Sequence, residues 1–429
     1  MLQGYLSKTL RIRCALKKRI AIIGSGISGL VSANLLSQEH DITLFEANHC
    51  LGGHTHTHNV NIARKSYAID TGFIVFNKKT YPLFCKLLDK YNIPIQLSEM
   101  SFSYRSDKKN LEYNGHNLNT LFADRRNLLK PQFYRFIAEI LRFNKDAKKF
   151  LTIPSNANIT IQHFTQQQRY STHFIEDYLV PMMASIWSKT HHEIMACSAQ
   201  FVLQFYANHG LLDTYDRPAW YVIANGSSSY IPVLTNSFKH QIALNTKIIS
   251  IERQQNQVVL KSATQQFIFD AVVIATHSDQ ALEMLTDPSD DEKNILSGIP
   301  YRENEVILHT DIRLLPKHPL AWASWNYLDN DTPFPTLTYY MNRLQSIESP
   351  YHFCVSLNLS EQIDESKIIK RFQYAHPCFN LQTHSIQQQK RLINGKNNTY
   401  FAGSYWGYGF HEDGVKSAID VCELLGVTL

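Results

Sequence analysis

Gly24-Ser-Gly26-Ile-Ser-Gly29 is the feature that most limits what this chain can fold into. The triplet directly follows an apolar strand at 19–23 and opens a helix running from 27 to about 37, with a second strand at 41–46. This is a βαβ opening. In such a turn the first glycine permits the tight bend, the second lets the backbone approach a pyrophosphate, and the third lets helix and strand pack closely. The phosphates then sit at the positive end of the helix on free backbone N–H groups. Glu46, 22 residues after Gly24, ends the second strand, where a carboxylate accepts hydrogen bonds from both ribose hydroxyls and repels a 2′-phosphate. The expected ligand is an adenine dinucleotide other than NADP.

A chain of 429 residues is long enough for two or three folding units. With 44% hydrophobic and 18% charged residues it is globular, which excludes collagenous and wholly disordered classes. Its 7 cysteines include no Cys-x-x-Cys pair, which argues against a disulfide framework or zinc ribbon and for a reducing, cytoplasmic setting. The formal charge of +5 implies no nucleic acid, and no apolar run is long enough to span a membrane. Residues 1–18 form a basic extension without an acid. It reads as a disordered arm, or alternatively as an organelle transit peptide or a lipid-surface anchor.

Further along, short strands are expected at 247–251, 257–261 and 266–269, followed by the doubly buried run 271–276. Another strand is expected at 399–403, with a closing helix at 414–425 and Gly426 at its C′ position. The fold class is therefore α/β. A Rossmann-like domain is assembled from the discontinuous segments 19–75, 226–290 and 395–429, and a mixed α+β substrate domain is inserted as 76–225 and 291–394. The first insert reads as helical and aromatic-rich, with a polar patch at 156–168; the second mixes strands with loops marked by Pro316, Pro319, Pro333 and Pro335.

Leu51-Gly52-Gly53-His54 places a second stretch of bare backbone near the same phosphates. With this doublet the sequence resembles the flavin-containing amine oxidase superfamily and its desaturase and protoporphyrinogen oxidase relatives. In that superfamily the strand, glycine triplet, acid and Gly-Gly bind FAD. The tail Phe401-Ala-Gly403-Ser-Tyr405-Trp406-Gly-Tyr-Gly-Phe-His411-Glu-Asp-Gly414 resembles the closing motif, in which the last helix points its N-terminus at the flavin. That orientation suits the negative charge of a reduced flavin. More narrowly, the phrases HTHT, DTGFIVFN, SFSY, RRNLLKP, HGLL, ASWNY and GYGFHEDG are similar to a subfamily of predicted FAD-binding proteins found beside, or fused to, cyclopropane-fatty-acid synthases.

The resemblance implies non-covalent FAD held by Gly24, Gly26, Ile27, Ser28, Gly29, Glu46, Ala47, Gly52, Gly53, His54, Thr71, Gly72, Ile248, Gly403, Glu412, Asp413 and Val415. Ile248 falls where the family uses a strand backbone to hold adenine. Phe73, Phe76, Tyr405, Trp406, Tyr408 and Phe410 are the expected walls of a substrate channel. Amine oxidases of this kind commonly carry a lysine on the strand that here reads Glu305-Val-Ile-Leu-His309-Thr-Asp311. Its absence weakens amine oxidation and leaves His309 either as a polar partner or as a satisfied core histidine. His54, His56 and His58 alternate and would share one strand face; proton transfer or flavin contact is expected of His54 and His56, rather than metal binding. His411 is a further acid or base candidate.

Between 124 and 149 eight bases face three acids among interleaved phenylalanines and isoleucines. The segment reads either as a basic amphipathic helix resting on anionic lipid, or as a solvated helix packed on its own domain. The functional readings are an FAD oxidoreductase acting on a fatty acyl or phospholipid substrate with a lipid methyltransferase as partner, an amine oxidase using O₂, and a flavin-bound scaffold without turnover.

Overall fold

Four apolar residues in a row give the strand β1 (Arg19–Ile23) two faces to bury, and both are covered. In the computed structural model Ile20 and Ile22 face Leu30, Val31, Val415 and Ala418 on one side, while Ala21 and Ile23 face Phe45, Ile251 and Leu260 on the other. This is the alternation expected of a parallel strand between two layers. The structure describes residues 17–153, 159–215, 217–330, 332 and 334–429. Most of the basic N-terminal extension, Pro333 and positions 156–158 of the polar patch lie outside them.

After β1 come α1 (Ile27–Leu36), β2 (Asp41–Phe45), β3 (Ile242–Ala243), β4 (Ala271–Ile274), β5 (Thr399–Phe401) and α2 (His411–Leu424). The five strands form one sheet in the order β3-β2-β1-β4-β5, parallel throughout. Segments nearly 400 residues apart in sequence thus share one sheet, as the sequence implied. The two-residue strand β3 was not foreseen. An antiparallel three-stranded sheet, Ile248–Gln254, Gln257–Ser262 and Gln266–Phe269, follows the expected runs.

The last helix starts at His411, three residues before the expected Gly414. Asp413 explains the difference: it accepts the backbone N–H of Phe410 at 3.0 Å and closes a capping box at the helix start. Gly426, at φ 88°, follows the helix as expected.

Both inserts contribute to a second, seven-stranded sheet. Its order by residues is 368–377, 301–309, 354–357, 337–340, 325–329, 102–106 and 111–114. The first insert is therefore not wholly helical. Its helices, led by Pro131–Leu151, surround a separate aromatic core containing Phe143, Phe164, Phe174 and Tyr206.

Candidate functional site

The start of α1 is bare by construction. A Cβ on Gly29 would stand 1.8 Å from the carbonyl oxygen of Gly24, so only glycine lets the helix lie this close to the turn. Above Gly26 the same test meets nothing within 4 Å, and no side chain caps the helix. Its first N–H groups are left for a ligand. Gly53 lies opposite, where a Cβ would come 3.1 Å from the Gly26 Cα, and the Gly52 N–H donates to the Ser25 hydroxyl at 3.1 Å. The two glycine motifs form one cradle.

Glu46 closes the cradle at the end of β2. It is buried, and its oxygens accept the Ser25 N–H at 3.0 Å and the Asn48 N–H at 2.9 Å. The Thr246 N–H donates to the Glu46 carbonyl at 2.8 Å, which brings the strand led by Ile248 alongside the acid. Ala47, beyond it, is exposed.

α2 reaches the same place from the far end of the chain. The Ser28 hydroxyl donates to the Gly414 carbonyl at 3.0 Å, and a Cβ on Gly414 would meet Ile27 at 2.6 Å. Side chains of Ile27 and Val415 are core, so any role of theirs toward a ligand is through backbone. Glu412 accepts the Leu83 and Phe84 N–H groups at 3.0 and 2.9 Å, capping the helix Pro82–Lys90, and burial raises its pKa. Asp413 binds the Tyr408 and Phe410 N–H groups, and burial lifts it to about 6 against those bonds. Both carboxylates hold the fold that aims the helix. Gly403 precedes the turn, with its N–H on the Ser417 hydroxyl at 2.9 Å.

The segment after the glycine doublet is zipped to the Asp70-Thr71-Gly72-Phe73 turn: the Phe73 N–H donates to the His54 carbonyl at 2.7 Å and the Thr71 N–H to the His56 carbonyl at 2.9 Å. Asp70 is fully buried on Thr57, Ser227 and Gln345, and burial raises it to about 6. The rings of His54, His56 and His58 lie along one strand, Ile368–Pro377, against Tyr374 or Phe372 at 5.0, 5.1 and 6.0 Å. His56 is tied to the Thr71 hydroxyl at 2.8 Å. His54 Nε2 is sequestered with no partner among the described residues.

Two histidines that the sequence reading missed complete the site. His376 lies 5.2 Å from His54, and His277, stacked on Tyr301 at 4.2 Å, faces the same junction between the two large sheets. Burial lowers His54 and His277 to about 4 and His376 to about 3, and each is lowered further by another of the three. All are neutral imidazoles at neutral pH. A signal existed for His277, which directly follows the carboxyl end of a parallel strand, where such sheets bind ligands. His376 had none.

Other candidates fall elsewhere. His309 lies five residues along its strand from Asn304, the residue opposite Tyr374, or about 17 Å away. Its Nε2 meets the Ser356 hydroxyl at 2.8 Å and its Nδ1 accepts the Asp311 N–H at 3.0 Å, so it is a satisfied core histidine. His411 stacks on Phe73 at 3.5 Å and bonds Thr55 at 2.9 Å; burial holds it far below its usual pKa. Tyr405 is buried with its hydroxyl unpartnered, whereas Trp406 donates to the Phe401 carbonyl at 3.1 Å. Phe76 is core, and Tyr408 and Phe410 pack on the helix Ala199–Asn208.

These residues fit FAD: an open glycine cradle at an uncapped helix, an acid beside it, and an unpartnered imidazole nitrogen beyond the doublet. Residues 27–340 match the family model for flavin containing amine oxidoreductases. A stretch of 44 residues is 54% identical to tryptophan 2-monooxygenase of Allorhizobium ampelinum, covering 10% of this chain and 6% of that protein. The fold is similar to that of a CLA-producing fatty acid isomerase from P. acnes, with TM-score 0.68 and 16% identity over 95% of this chain and 98% of the other. It is equally similar to cyclohexylamine oxidase from Brevibacterium oxydans IH-35A, with TM-score 0.67 and 14% identity over 96% of this chain and 100% of the other.

Proposed function

We propose that this chain, which belongs to the flavin-containing amine oxidoreductase family and is an FAD-dependent oxidoreductase, takes hydride from an activated position of a fatty acyl chain. The observation that carries the reading is the neutral histidine junction. An amine substrate arrives as a cation and is held most strongly by a fixed negative charge, with aromatic faces as the weaker alternative. Here the titratable groups that gather are His54, His277 and His376, all held uncharged, with Tyr301 and Tyr374 around them. The strand Tyr301–His309 carries no lysine. A fold shared with a fatty acid isomerase agrees with the reading.

FAD bound without a covalent link supplies two-electron hydride acceptance. The N–H groups opening α1 and α2 would hold its negative charge, and Glu46 would hold ribose hydroxyls. Desaturation also releases a proton, and the neutral Nε2 of His54 receives it. His376, 5.2 Å away, positions that ring.

The lipid reading includes a methyl-transferring lipid enzyme as partner, supported by the resemblance of the HTHT and GYGFHEDG phrases, and a cytoplasmic setting, supported by the thiols of Cys50, Cys85 and Cys378. No helix among the described residues is long and apolar enough to cross a membrane.

Amine oxidation is the second reading, favoured by the fold shared with cyclohexylamine oxidase. Anaerobic titration of the purified yellow protein separates the two. Bleaching by monounsaturated or cyclopropane phospholipids supports acyl oxidation. Bleaching by polyamines or aromatic amines alone, with peroxide on reoxidation, overturns it.

A further inference from the structure

The helix Pro131–Leu151 does not rest on lipid through its apolar face. Phe133 and Phe136 pack with Tyr104 and Tyr113, and Phe143 and Phe150 with Phe164, all inside the protein. What remains is the opposite stripe, where Tyr134, Arg135, Leu141, Arg142, Lys145 and Lys149 lie exposed at helical spacing. The stripe is about 22 Å long at 1.5 Å per residue.

Both acids of this helix are engaged by the 170–171 turn. Glu139 accepts the Ser171 N–H at 3.0 Å and Asp146 the Tyr170 hydroxyl at 2.6 Å. Two bases are paired, Lys148 with Asp213 at 2.5 Å and Arg142 with Glu139 at 3.3 Å, while Arg135, Lys145 and Lys149 face out.

At the helix's amino end the turn that feeds it exposes Leu128 by 45% and Leu129 by 87%, between Arg125 and Lys130, with Arg126 paired to Asp124 at 2.9 Å. Leu118, 75% exposed, stands on the preceding short helix, and Phe122 between them packs on Phe133 and Tyr134 at 5.4 and 5.8 Å. One exposed leucine is ordinary; three on one tip inside a cationic rim are not. Bases alone would serve a nucleic acid, which has no use for the leucines. Bases with projecting leucines match a surface whose headgroups are anionic and whose interior is apolar.

We propose that this face docks the protein on an anionic phospholipid bilayer, with Leu118, Leu128 and Leu129 entering the acyl boundary and the stripe lying along the headgroups. The docking stands whether the flavin acts on lipid or on amines.

Flotation of the full chain tests it, with vesicles of phosphatidylcholine alone or with one third phosphatidylglycerol, at low and high salt. Two variants are compared, Leu128→Ser/Leu129→Ser and Arg135→Gln/Lys145→Gln/Lys149→Gln. All five sites are exposed and outside the flavin site, so FAD content and melting temperature stay at wild type. Expected is flotation with the anionic vesicles only, weakened by salt and lowered about tenfold or more in partition by either variant. No flotation, equal flotation on neutral vesicles, or undiminished flotation of both variants overturns the proposal. So does retention on an oligonucleotide without flotation.

Discussion

The hydroxyl of Ser28 on the first helix of the dinucleotide fold donates to the carbonyl of Gly414 on the last, at 3.0 Å, across 386 residues of sequence. This bond sits where two helix N-termini meet beside the glycine cradle. It makes the ligand site a product of both ends of the chain, so the site exists only once the sheet has closed around the inserts.

Gly414→Val tests that crossing. The added Cβ meets Ile27 at 2.6 Å and Ser28 at 3.0 Å, so the helices part. Overpacking of this kind costs about 1–3 kcal/mol. A lower melting temperature together with FAD lost on gel filtration is the expected outcome; retention of FAD at wild-type stability contradicts it.

Glu46→Gln keeps the shape and removes the charge. A hydrogen bond to a charged group is worth about 1.5–3 kcal/mol, so FAD affinity falls about tenfold to a hundredfold. Flavin fluorescence titration of the apoprotein reads it. The fold holds, because the single amide oxygen of Gln still accepts the buried Ser25 N–H, while the exposed Asn48 N–H turns to water.

The histidine junction makes stability depend on pH. An imidazole whose folded pKa lies below its unfolded value of 6.5 takes its proton first in the unfolded chain. The junction histidines therefore lower stability as pH drops from 6.5 towards about 4, and His376 on to about 3, below which their loss levels off. Asp70 and Asp413, raised to about 6, take protons first in the folded chain and oppose this trend, so the comparison is with a variant: between pH 7 and 4.5 the denaturant midpoint falls less in His376→Gln than in wild type. An unchanged slope in that variant argues against a buried neutral imidazole.

His309→Gln separates structure from chemistry. Losing the ring unseats the Ser356 hydroxyl and the Asp311 N–H, at a cost of about 1–3 kcal/mol. The flavin spectrum and the rate of flavin reduction stay as in wild type. In His54→Gln the melting temperature moves less and the reduction rate falls about a hundredfold, in the range of a lost proton acceptor.

The cradle was legible because its demands are local. Gly29 answers a clash within its own turn, and β1 and β4 are apolar on both faces, which only a covered parallel strand needs. The last helix is legible too, but not its start: glycine at 414 reads as an opening, whereas it is the crossing point with α1 and Asp413 supplies the cap. The junction histidines are another matter. His376 sits on a strand of ten residues whose neighbours are set by pairing with 301–309, and nothing in its own stretch marks the residue that meets His54. The face of the 131–151 helix was ambiguous for the same reason, since one pattern of phenylalanines serves a core as well as a bilayer.

The most direct measurement is the visible spectrum of the purified, folded chain before and after denaturation and filtration. The account requires a yellow protein with one FAD per chain, all of it released to the filtrate when the fold is lost. A folded preparation that is colourless and takes up no FAD when offered it would contradict the account.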